Sequence, residues 1–155
     1  MILDALPGTG RFKRDISLTT NGFETSGLKI VRTSAEMALS HNFGRLNIAT
    51  IMMALQHHNS LLLIDPVFRT INLDDIMAAY KIGSFSEEQN RELKMELTRG
   101  GKSIFMIARR LARSCVTDAD IVKAVVKSDA ESSINVTKLD LLHGLADLRS
   151  GEPRF

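Results

Sequence analysis

Apolar positions recur at three- and four-residue steps along most of this chain, beginning at Leu28. Leu28, Val31, Ala35, Ala38 and Leu39 make one stripe, the spacing of an amphipathic helix. Asn47 stands as a cap before a second apolar set, Ile48, Ile51, Met52 and Leu55. A short apolar run from Leu61 to Ile64 stops before Pro66. Asn72 then caps "LDDIMAAYKI", with aspartates in the first turn, where the helix dipole favours them, and Gly83 past the end. Ser86 and Gln89 have capping-box spacing at the head of "EEQNRELKMEL", a segment so polar that a solvated linker helix is expected. Gly100-Gly101 reads as the break that ends it, leaving Ser103 to cap the helix of Ile104, Ile107, Ala108, Leu111 and Ala112. Thr117 caps a further helix bearing Ile121, Val122, Val125 and Val126, and Thr137 or Asn135 opens "KLDLLHGLADL", which stops near Ser150-Gly151.

Residues 1–27 read differently. Pro7, Gly8, Gly10, Gly22 and Gly27 interrupt them, and no helical stripe runs through. Ile16, Leu18 and Thr20 alternate ahead of Asn21-Gly22, a pair that tolerates the positive φ of a tight turn. An irregular arm or a short β-hairpin is expected there, followed by an all-α body.

Composition changes this picture little. At 155 residues, 44% apolar and 25% charged, the chain has the makings of one globular domain with a sizeable core. Twenty basic and 18 acidic side chains leave +2, which gives little support to a nucleic-acid binder. The single Cys115 excludes an internal disulfide and is expected to be a small buried apolar residue. A reducing, cytoplasmic setting follows, with no signal segment and no membrane span expected.

Gly101-Lys102-Ser103 has the ending of a phosphate-binding loop. The first glycine of that loop falls at Glu96, and the upstream "RELKMEL" reads as helix where a strand is required, so nucleotide binding is not expected. His57 and His58 are adjacent and point about 100° apart on a helix, which argues against a shared metal. No serine–histidine–aspartate order, paired carboxylates or cofactor loop stands out. Neither an enzyme, a cofactor nor a metal is expected. Arg109, Arg110 and Arg113 decorate the side opposite Ile104, Ile107 and Leu111, and arginine forks suit acidic partners. Met53 and Met106 lie off the main stripes and read as surface positions, since methionine suits adaptable peptide contacts. Phe43 and Arg45 sit in "HNFGRLN", with Phe43 expected to be a buried anchor.

The strongest organisational signal is a duplication. "LNIATIMMAL", Leu46 to Leu55, and "VTDADIVKAV", Val116 to Val125, each set an apolar residue before a cap, then apolar pairs at Ile51-Met52 and Ile121-Val122, then Ala54-Leu55 and Ala124-Val125. Each follows an alanine-containing helix and precedes a connector to a last helix. Here the chain resembles the N-terminal domain of Clp-type AAA+ unfoldases, the double Clp-N repeat, over about Leu28 to Leu148. Ala38, His41, Asn47, Ile51, Met52, Ala54 and Leu55 carry the likeness in the first unit. Ala108, Ala112, Thr117, Asp120, Ile121, Ala124 and Val125 carry it in the second.

The resemblance implies an all-α fold of two tandem, pseudo-twofold-related repeats with about eight helices. Repeat one is placed at 28–83, a linker at 84–101 and repeat two at 102–150, after the arm at 1–27. It implies a non-catalytic protein-recognition or adaptor-docking domain, without the ATPase modules. The partner would be a peptide, an adaptor or a secretion-machinery protein, or a Clp-type ATPase or protease system. Phe43, Arg45, Met53, Met106, Arg109, Arg110 and Arg113 are the candidate contacts. Ala49 and Ala119 stand where the family usually has glutamate, so the recognition of cationic groups by that acid does not carry over. The alternative reading is a histone-like helical protein associated with nucleic acid, on the strength of "ARRLARSCVTDADIVKAV".

Overall fold

The computed structural model describes residues 22–82, 87–131 and 137–151, with side chains from residue 91 onward in the second stretch. Six α-helices follow one another there: α1 (Thr25–Ser40), α2 (Ile48–His57), α3 (Leu73–Ala79), α4 (Glu87–Leu111), α5 (Asp118–Glu131) and α6 (Leu139–Ser150). Two 3-10 turns, Ser60–Leu63 and Pro66–Thr70, join α2 to α3. Among the described residues the all-α expectation holds, with six helices where about eight were expected and one isolated bridge, Phe23 to Val116, in place of any strand. The expected hairpin and the Ser86 cap lie outside the described residues.

The caps explain where the helices start. Asn47 accepts from the Thr50 N–H, and the Thr50 hydroxyl accepts from the Asn47 N–H, each at 3.0 Å, closing a capping box. Asn72 and Asp75 repeat the device at α3, and Thr117 and Asp120 at α5. At α6 Thr137 is not the cap, and Asn135 lies outside the described residues. The residue before the helix, Lys138, takes the left-handed conformation at φ 59°. The Thr137 hydroxyl instead donates to Asp129, at 2.7 Å.

Helix α2 is the centre of the molecule. Every residue from Ile48 to Gln56 is buried, as a helix enclosed on all sides requires. Gln56 fixes the connector below it, donating from Nε2 to the carbonyls of Phe68 and Ile71. Helix α6 packs on that connector. The Phe68 ring lies 4.4 Å from the His143 ring, Tyr80 donates to the Thr137 carbonyl at 2.6 Å, and Arg149 pairs with Asp75. That hydrogen bond holds the Asp75 carboxyl below its ordinary range, outweighing the effect of its partial burial.

Helix α4 corrects the expected break. It runs through Gly100 and Gly101 without interruption, and Ser103 is an exposed mid-helix residue. The glycines serve packing. A Cβ on Gly101 would stand 2.9 Å from the Asn47 Cα and 3.0 Å from its carbonyl carbon, so α4 crosses the start of α2 backbone to backbone. Gly144, midway along α6, has no such neighbour: nothing lies within 4 Å of a Cβ built there. Gly144→Ala is therefore expected to stabilise the fold by about 0.5–1 kcal/mol, as a higher urea midpoint at unchanged slope.

Candidate functional site

The last turns of α4 and the loop after it present Met106, Arg109, Arg110 and Arg113, all exposed. The Arg109 guanidinium lies over the Phe23 ring, 5.6 Å from its centre, and Phe23 meets Phe105 edge-on with centres 5.9 Å apart. Both rings are buried. A cation over an aromatic face at an exposed site contributes about 0.5–1 kcal/mol, and it also gives the guanidinium a preferred direction.

The loop itself is anchored from below. Glu24 donates to the Val116 carbonyl and Val116 donates to the Gly22 carbonyl, each at 2.9 Å. The first turn of α1 closes on the same backbone: a Cβ on Gly27 would lie 2.4 Å from the Val116 oxygen. The Ser26 hydroxyl accepts from the Asp118 N–H at 3.2 Å. Residues 113–115 form a bend ahead of the bridged Val116. With Val116 turned inward, Cys115 faces solvent, which corrects the expectation that it would be buried.

The other candidates lie elsewhere. Phe43 is partly buried against the core, its N–H bonded to the Ala38 carbonyl at 2.8 Å, and Arg45 is half-buried in the same α1–α2 loop. That loop ends at Asn47, which meets α4 at Gly101, eight residues or about 12 Å before Arg109. Met53 is only 1% exposed and is corrected from a surface contact to a core residue. It lies off the main stripe of α2, but α2 has no outer face to place it on.

The histidines have local structural partners. His41 follows α1, its N–H reaching the Met37 carbonyl at 3.1 Å, and His57 is exposed at the end of α2. The His58 ring nitrogen Nε2 lies 2.6 Å from the Thr33 hydroxyl. Burial first, then the nearby His57 and Lys29, hold His58 below the ordinary imidazole value of 6.5, against the opposite pull of Glu36 and Asp118. The unfolded chain thus takes up this proton at a higher pH than the folded one. Folding stability is expected to rise with pH through the interval from the folded value up to 6.5, and to fall on acidification. Urea midpoints at about pH 7.5 and about pH 5.5 should differ less in His58→Gln than in the unmodified protein.

An open cleft of about 370 Å³ lies between α4 and α5, lined by Glu96, Arg99, Gly100, Ser103, Ile107, Ser128 and Glu131. Among the described residues no group of three histidines, cysteines or carboxylates is placed to hold a metal, and no helix is long and apolar enough to cross a membrane. Gly101-Lys102-Ser103 lies in mid-helix, where its amides bond along α4 rather than form a phosphate cradle. Comparison with protein-family models, with curated proteins and with solved structures finds no match for this chain.

Proposed function

We propose that this chain is a protein-recognition domain built like a double Clp-N module, with no chemical step of its own. The order of elements supports the reading. A long helix, a box-capped helix, a connector and a shorter helix occur as α1 to α3 and again as α4 to α6. The caps Asn47 and Thr117 are 70 positions apart; Gly101 of α4 meets Asn47 itself, and Gly27 of α1 meets Val116, the residue just before Thr117. Two repeats related by an approximate twofold would seat their capped helices in this reciprocal way.

The observation that carries the function is the exposed cluster of Met106, Arg109, Arg110 and Arg113 on a rigid base of Phe23, Phe105 and Val116. An adaptable apolar side chain among planar cations suits a peptide with acidic and apolar residues, supplied by an adaptor, a secretion-machinery protein or a Clp-type ATPase or protease system. Such docking needs no cofactor and fits a cytoplasmic setting.

The test is affinity capture from nuclease-treated extract with the whole chain and with an Arg110→Glu/Arg113→Glu variant. A small set of proteins retained by the first and lost by the second is expected. Recovery of the same set by both would take the arginines out of the site. Capture of mainly nucleic acid from untreated extract, with strong salt dependence, would replace this reading by the histone-like one.

A further inference from the structure

Because α4 is unbroken, residues on either side of the glycine pair share one helix surface. Eleven residues on an ideal helix make three full turns plus about 20°, so positions 11 apart lie almost in line. Arg91, Lys102 and Arg113 are so spaced, Arg113 falling two residues past the helix end. Met95 and Met106 form a second such pair and Arg99 and Arg110 a third. The result is one ridge in which each methionine has a cation four residues before it and another four residues after it. Both methionines are 55% exposed, and all five cations are exposed. Among the described residues no carboxylate pairs with any of the five. Residues 91–113 carry seven basic side chains against two carboxylates, Glu92 and Glu96, net +5, which leaves the rest of the +2 chain at net −3. Positive charge is gathered on this ridge.

We propose that the exposed ridge of α4 binds an acidic amphipathic helix of another protein. This rests on the reading of the chain as a recognition domain and names its ligand. Charge complementarity asks for carboxylates opposite Arg99, Lys102 and Arg110. The methionines, about 16 Å apart along the axis, ask for apolar residues at the same interval, which a second helix supplies every three turns. A phosphate backbone would answer the cations and leave both methionines against charge. The ridge also offers no aromatic ring for base stacking. Six turns of partner helix, about 30 Å, would span Arg91 to Arg110.

The probe is a labelled synthetic helix with leucines 11 residues apart and glutamates four residues to either side of each, titrated with the whole chain by fluorescence anisotropy. Binding is expected to weaken about tenfold or more when the glutamates become glutamines, when the order is scrambled, or in Arg99→Glu/Arg110→Glu. The milder Arg99→Gln/Arg110→Gln variant, checked for native circular dichroism, should lose a smaller part. Raising salt from about 50 to about 500 mM should weaken the unmodified pair more than the charge variants. Equal binding of the scrambled peptide, or no loss in either variant, overturns the inference. So does tighter binding of duplex DNA or of phosphatidylserine vesicles than of the acidic helix. If the extract still yields specific proteins after such a result, the ridge alone is wrong. If it yields none, the recognition reading falls with it.

Discussion

Phe68→Ala is expected to cost about 3–5 kcal/mol, the upper range for removing a buried aromatic side chain. Phe68 is fully enclosed in the Pro66–Thr70 turn. Its ring meets His143 of α6, and its carbonyl is held by Gln56 of α2. The turn therefore joins the central helix to the last one through a single side chain and its own backbone. Neither neighbour can collapse into the gap freely, because Gln56 is tied to Ile71 as well and α6 is fixed at both ends by Thr137 and Arg149. Urea unfolding followed by far-ultraviolet circular dichroism measures the loss. A cost under about 1 kcal/mol would show that α6 does not depend on this contact.

Gly101→Ala is expected to destabilise by about 1–3 kcal/mol, although alanine is the better helix former by about 1 kcal/mol. The added methyl would stand 2.9 Å from the Asn47 Cα and 3.2 Å from the Ile48 N–H nitrogen, and backbone cannot swing aside as a side chain does. Either α4 lifts away or the capping box of α2 is displaced. The opposite sign expected for Gly144→Ala makes the pair a control for helix propensity, since both glycines lie within helices and differ in what surrounds them. A gain at both positions would refute the close crossing.

These glycines also show where sequence reading stops. The caps at Asn47, Asn72 and Thr117 are legible because a capping box is a local arrangement, complete within four residues. Gly100-Gly101 is not legible as packing, since the partner that requires small residues lies more than 50 positions away. Read as a break, the pair divides α4 and hides the 11-residue recurrence that places Met95 and Met106 on one surface. Met53 fails for a related reason: a stripe defines an outside only when the helix has one. Arg109, Arg110 and Arg113 are legible from the apolar side of their own helix. The Phe23 ring beneath Arg109 is not, because the contact joins residues 86 positions apart.

The bridge between Phe23 and Val116 and the seating of α6 on residues 65–80 tie the earlier and later helices into one interior. During synthesis the first three helices emerge long before their cover exists. The central helix must then wait, with an apolar side open, until α4, which ends at Leu111, has left the ribosome. Shielding of that nascent stretch, by a chaperone or by the ribosome surface, is a requirement that this topology places on the cell.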